Sequence, residues 1–135
     1  MNITTKGRYA LKIMIDLAAQ AGDAPVSLKA VSERQGISMK YLEAIAGVLN
    51  KSGFLLSSRG KNGGYRLAKQ PKDYTVCEIL RSTEGSLAPV ACVESDCPNA
   101  EGCVTLPLWA GLDHCIDTYL SGITLQDVLD GTIPK

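Results

Sequence analysis

Three cysteines lie within twelve residues, Cys92, Cys97 and Cys103, in the pattern Cys-x4-Cys-x5-Cys. The chain carries no secretory leader in front of its first helix, so a reducing compartment, the cytoplasm, is expected. There, clustered thiols serve either as metal or cluster ligands or as redox sensors. The stretch from Gly85 to Gly102 has no helical or strand period and is broken by Gly, Pro, Ser and Asn. Irregular chain can turn several sulfurs toward one centre, which regular structure at these spacings cannot. Zinc sites usually show a Cys-x2-Cys knuckle, absent here. Iron–sulfur clusters accept varied spacings and take three or four thiolates. Glu94, Asp96 and Glu101 are the local candidates for a further ligand.

The other two cysteines differ. Cys77 follows Thr75 and precedes Glu78 in a capping-box pattern, beside Val76 and Ile79, and reads as a small core residue. Cys115 and His114 lie roughly 16–18 Å along a helix from Cys103, at 1.5 Å per residue, too far to share its centre. His114 is the sole histidine, with no motif around it, so a Cys nucleophile would lack a base and the chain is not read as an enzyme.

A chain of 135 residues accommodates one domain, or one domain with an extension for dimerisation. Its net charge of zero conceals a polarity. Residues 1–72 hold 12 Lys/Arg and 4 Asp/Glu, a net of +8, whereas residues 73–135 hold 2 and 10, a net of −8. The first half is suited to a polyanion and the second is not. No apolar run is long enough to cross a bilayer, and no membrane role is expected.

The basic half has its own organisation. A first helix is predicted from about Lys6 to Ala21, with Ala10, Ile13, Met14, Leu17 and Ala18 on its apolar face, before a break at Gly22-Asp23-Ala24-Pro25. Ser27 caps a second helix and Gly36 suits a left-handed C-cap. Ser38 caps a third, in which Leu42, Ile45, Ala46 and Leu49 recur with helical period. Phe54–Ser58 and Tyr65–Leu67 read as two strands around Arg59-Gly60-Lys61-Asn62-Gly63-Gly64, where Asn-Gly-Gly tolerates the positive φ of a tight hairpin. The loop lacks the Lys-Ser/Thr pair of a phosphate loop, and a strand rather than a helix follows it.

Two short helices, a tight turn and a hairpin make a winged helix-turn-helix, which places one helix in a DNA groove. The start of the third helix carries Ser38, Lys40, Tyr41 and Glu43. Glu43 can accept from a cytosine amino group, and Lys40 can reach guanine or phosphate. Arg59, Gly60 and Lys61 form the wing tip, placed for phosphates or a minor groove, and Lys6 is placed for the DNA backbone.

Ile-Ser-x-x-Tyr-Leu-Glu at 37–43, Ser-x-Arg-Gly-x-x-Gly-Gly-Tyr at 57–65 and the opening Thr5-Lys6-Gly7-Arg8-Tyr9-Ala10-Leu11 resemble the IscR/NsrR/CymR-type bacterial regulators, the Rrf-two family. The resemblance runs through the cysteine segment to Ile123-Thr124-Leu125. It implies a homodimeric transcription factor, here expected to act as a repressor on a palindromic operator. It also implies an iron–sulfur cluster, 2Fe–2S or 4Fe–4S, at Cys92, Cys97 and Cys103. The fourth ligand is open. Relatives with a 2Fe–2S cluster place His one turn after the third Cys, where this chain has Leu106, and nitric-oxide-sensing relatives supply an acid near the start of helix one, where it has Arg8. The alternative is a cluster-free regulator of the same fold, responding to thiol oxidation or to a protein partner from cysteine metabolism.

After a turn at Lys69–Asp73, the C-terminal half is predicted to hold the Thr75-capped helix and a long helix from Cys103 to about Ser121. A last short helix follows from Thr124. Trp109, Leu112, Ile116, Tyr119 and Ile123 form a seam at alternating spacings of three and four, expected to be covered by a second subunit. The expected fold is thus mainly α with a small β-hairpin wing: a winged helix-turn-helix domain over 1–72 and a sensor loop with dimerisation helices over 73–135.

Overall fold

Ser27 and Ser38 each start a helix by accepting a backbone N–H, from Ala30 at 3.1 Å and from Tyr41 at 3.4 Å. In the computed structural model, which describes residues 3–20 and 24–133, α1 spans Thr5–Ala19, α2 Leu28–Gln35 and α3 Met39–Lys51. The helix thus ends at Ala19, two residues before the predicted end at Ala21, which lies outside the described residues together with Gly22 and Asp23 of the predicted break. Gly36, at φ +67, turns α2 into α3. Leu42, Ile45, Ala46 and Leu49 are all buried, as their period predicts.

One ion pair fixes α2 to α1. Arg34 donates through Nε and Nη2 to the buried carboxylate of Asp16 at 2.7–3.2 Å, and Gln35 adds a bond at 2.9 Å. Burial pushes the Asp16 carboxyl up, but the hydrogen bonds from Arg34 and Gln35 outweigh it and hold the group below its ordinary value.

The wing is an antiparallel hairpin of β1 (Leu55–Ser58) and β2 (Gly64–Leu67), paired from Leu55↔Leu67 to Ser58↔Gly64. Positive φ falls on Gly60, at +101, and on Gly64, at +158, and not on Asn62 or Gly63. Of the Asn62-Gly63-Gly64 run only Gly64 takes the expected positive φ, and Gly60 adds a second. The loop over residues 59–63 spreads the reversal. Val26 bridges to Tyr65 through two backbone bonds of 2.8 Å, tying β2 to the entry of α2.

A short 3-10 turn at Pro71–Asp73 leads to α4 (Val76–Glu84), whose capping box between Thr75 and Glu78 is formed. Glu78 is held below its ordinary value, first by the Thr75 backbone N–H it accepts. After the irregular segment come α5 (Leu106–Ser121) and α6 (Leu125–Asp130), the latter opened by a second capping box between Thr124 and Asp127.

Two apolar clusters result. The larger joins Ile13, Met14, Val31, Leu42, Ile45, Leu49 and Leu55 to Tyr74, Ile79 and Leu125, so its packing crosses residue 72. The smaller holds Val76, Cys77, Leu80, Leu87 and Ile123, with Ile116 and Leu120 of α5 against it.

Candidate nucleic-acid interface and cysteine segment

The amphipathic α3 buries one stripe and must therefore expose the other. Met39, Lys40, Tyr41, Glu43 and Ala44 are all solvent-exposed on its first turns. Ser38 is spent on the cap, with its backbone exposed beside them. Among the described residues neither Lys40 nor Glu43 takes part in an ion pair, so both heads are available to an outside group. Tyr41 is 45% exposed, and its ring lies edge-on to Tyr9 of α1 with centroids 5.5 Å apart. The Lys12 ammonium sits 5.8 Å from the Tyr9 ring centroid. Tyr9 and Lys12 are members of this surface that the sequence pattern does not single out. The period of α1 marks only its buried face, and the packing of α1 against α3 brings them here.

Arg59, Gly60 and Lys61 form the exposed tip of the wing, as predicted. Lys6 is half-buried on the first turn of α1, and Arg8 beside it is exposed, donating to Thr5 Oγ1 at 3.1 Å.

The base of the wing depends on a residue that sequence reasoning misses. Tyr74 is fully buried, and its hydroxyl donates to the Phe54 carbonyl at 2.7 Å and accepts the N–H groups of Ala68 and Lys69 at 2.9 Å each. It thus clamps both ends of the hairpin. Burial pushes its phenol up, although the Lys69 and Ala68 amides act against this. Its place after the Pro71–Asp73 turn is the only signal in the sequence, and a turn does not announce a clamp. Tyr74→Phe keeps the ring but leaves the Lys69 N–H without this acceptor, while the Ala68 N–H and the Phe54 carbonyl still pair with each other at 3.2 Å. We expect a loss of roughly 1–2 kcal/mol in urea unfolding, because one amide loses its acceptor outright and two groups keep a second partner. An unchanged midpoint would show that the clamp carries no stability.

The five cysteines differ in exposure. Cys77 is buried, its Sγ 3.7 Å from Asp117 Oδ1, and Asp117 also pairs with Arg81 at 2.7 Å. Cys92 lies exposed in a 3-10 turn at Ala91–Val93, Cys97 is half-buried, and Cys103 is exposed. The chain from Cys97 to Cys103 is folded by consecutive turns, with the Ala100 N–H on the Cys97 carbonyl at 3.1 Å and the Cys103 N–H on the Ala100 carbonyl at 3.2 Å. The Cys103 thiol is held below its ordinary value, first by the hydroxyl of Thr105 at 3.4 Å, then by the backbone N–H groups of Thr105 and Leu106. Glu94 accepts from Ser86.

All five cysteines are free thiols. Among the described residues, no group of three or more His, Cys, Asp and Glu side chains is assembled for a metal ion. The donor chemistry still suits an iron–sulfur cluster: three thiols outside any α-helix or strand, two of them exposed.

The long helix departs from expectation in two ways. It begins at Leu106, not Cys103, leaving the third cysteine in the segment that precedes it. The predicted seam is also split between two faces. Ile123 is buried and Ile116 half-buried against the smaller cluster, whereas Leu112 and Tyr119 point outward, 41% and 52% exposed. The uncovered row is Leu108, Leu112, Cys115 and Tyr119, with Leu108 62% exposed and no residue of α5 fully buried. The inner face meets α4 and the Ala91–Val93 turn, whose positions the period of α5 alone cannot reveal.

A helix-turn-helix with a two-stranded wing, carried on the basic half of the chain, is the architecture of a DNA-binding transcriptional regulator. The chain belongs to the Rrf2 family, described as Iron-dependent Transcriptional regulator, which it matches over residues 3–131. It is similar to the HTH-type transcriptional regulator IscR of Photobacterium profundum, 39% identical over 130 residues, 96% of this chain and 76% of that protein. Among solved structures it resembles CymR (YrzC), the global cysteine regulator of B. subtilis, at TM-score 0.79 and 35% identity, covering 96% of this chain and 97% of the other. It resembles T. potens IscR at TM-score 0.76 and 38% identity, covering 98% and 88%. No helix among the described residues is long and apolar enough to cross a membrane.

Proposed function

We propose that this protein is a cytoplasmic, homodimeric, sequence-specific repressor whose DNA affinity is set by an iron–sulfur cluster at Cys92, Cys97 and Cys103. The observation that carries it is the placement of three free thiols in the irregular segment between the winged domain and a helix with an uncovered apolar row. When bound, the cluster would supply a redox- and ligand-sensitive centre. Residues 1–72 form the DNA-binding unit and residues 73–135 the sensing and dimerisation unit. Because the segment leads directly into α5, a change in its shape would alter the spacing of two recognition helices related by a twofold.

In the DNA complex, Glu43 and Lys40 read base edges, Ser38 and Tyr41 flank them, and Lys6, Arg59, Gly60 and Lys61 meet the backbone or minor groove. Half-sites should lie about one helical turn apart, on the order of 34 Å. The test is selection of duplexes from a random library, followed by titration in rising salt. A palindrome and a steep fall of affinity with salt are expected. Glu43→Ala should relax one base pair per half-site by roughly 1–3 kcal/mol, whereas Arg59→Ala should weaken all duplexes evenly. An unchanged base preference in Glu43→Ala would remove it as a specificity residue.

A second reading keeps the DNA-binding role and replaces the cluster with thiol oxidation or with a protein partner from cysteine metabolism. The likeness to CymR and the exposed, acidified thiol of Cys103 favour it.

A further inference from the structure

The first helix has no cap of its own. Thr4 occupies its N-cap position, and no bond from the Thr4 side chain to the helix amides closes the end. Helix amides left open there would otherwise turn to water. A carboxylate from elsewhere in the chain takes the place instead. Glu84 Oε1 accepts the Thr4 N–H at 3.0 Å, the Thr4 hydroxyl at 2.7 Å and the Gly7 N–H at 3.0 Å. Its negative charge also meets the positive end of the α1 dipole.

The approach is possible because residue 7 is glycine. A Cβ there would collide with Glu84 Oε1. Gly7 lies between Lys6 and Arg8, the two cations at the DNA-facing end of α1. Glu84 is the last residue of α4, immediately before the chain turns at Gly85 into the cysteine segment. One carboxylate therefore ties the start of that segment to the backbone that carries two cations.

We propose that Glu84 is a positioning residue for DNA binding, holding the first turn of α1 so that Lys6 and Arg8 meet phosphate. This rests on the DNA-binding surface proposed above and adds to it a residue outside that surface. Glu84 itself touches no DNA. It acts by fixing backbone, so its removal should cost phosphate contacts and leave base preference alone.

The test uses the full chain and a duplex selected by the wild type from a random library. Glu84→Ala should speed hydrogen exchange at the Gly7 amide at least tenfold without DNA present. It should lower duplex affinity about five- to tenfold and make the salt slope shallower by about one phosphate, at unchanged base preference. Glu84→Gln keeps an acceptor oxygen and should recover most of the affinity. Gly7→Ala reaches the same contact from the other side and should reproduce the shallower slope, with little added when combined with Glu84→Ala. Unchanged Gly7 exchange in Glu84→Ala would overturn the proposal. So would faster exchange with an unaltered salt slope, because the residue would then serve stability alone. A wild type that selects no duplex would defeat the DNA-binding proposal itself, and this inference with it.

Discussion

Replacing Cys92, Cys97 or Cys103 by Ser is expected to abolish iron retention after anaerobic reconstitution, while Cys77→Ser and Cys115→Ser leave it intact. The three sulfurs lie outside any α-helix or strand, where turns at Ala91–Val93, Cys97–Ala100 and Ala100–Cys103 already bend the backbone and can rearrange around a centre. Leu106, at the start of α5, offers no nitrogen, so each thiolate lost comes from a set of three protein sulfurs. Thiolate ligation is what holds iron in such sites, and a Ser hydroxyl remains protonated and binds it poorly. Cys77 is locked among Val76, Leu80, Leu87 and Ile123. Its replacement should cost packing only, on the order of 1 kcal/mol in unfolding. Cys115 lies nine residues beyond the first residue of α5, about 14 Å at the helical rise, on the outward row. Iron and sulfide assays with visible absorption decide the matter. A wild type that takes up no iron would leave thiol oxidation or a protein partner as the sensing chemistry. Loss of iron from Cys115→Ser alone would mean that α5 supplies a ligand through a different packing.

The second large effect concerns α5. Leu112→Glu is expected to convert the protein to monomers in sedimentation at micromolar concentration. Leu108, Leu112, Cys115 and Tyr119 recur at spacings of four, three and four, the pattern of a helix-pairing stripe. A charge placed in the middle of that stripe would be buried without a partner in a dimer and solvated in a monomer. The protomer should keep its fold, because Ile116 and Leu120, not Leu112, pack against the smaller cluster. A monomer reaches one half-site where a dimer reaches two. Specific binding commonly exceeds non-specific binding by about 4–10 kcal/mol, so losing half of it costs about 2–5 kcal/mol, roughly 30-fold to several thousand-fold in affinity. A thermal transition close to the wild type confirms that the fold is retained. A Leu112→Glu protein that stays dimeric would move the subunit contact to another surface.

Both effects arise from a chain whose local features are legible in sequence and whose global ones are not. Ser27, Gly36, Ser38, Thr75 and Thr124 mark helix ends by bonds reaching three or four residues, and each mark is fulfilled in the structure. The stripe of α3 and the hairpin are equally local. Together they suffice to identify a winged helix-turn-helix and its exposed first turns. The same locality explains what stays hidden. A seam read along α5 runs through Ile116 and Ile123 because a period records apolar spacing, not which neighbour covers which face. Only the position of α4 and of the smaller apolar cluster divides that face into an inner half and an open row of Leu108, Leu112, Cys115 and Tyr119. Tyr74 clamps a wing whose carbonyl partner lies 20 residues earlier, and Glu84 caps a helix end 80 residues away. The spacing of Cys92, Cys97 and Cys103 establishes that thiols are close along the chain, whereas convergence on one centre depends on backbone turns that no spacing specifies. Caps and periods are bonds between near neighbours in sequence and can be read from it. Burial, long-range capping and the convergence of ligands are contacts between residues far apart, and only the packed chain brings them together.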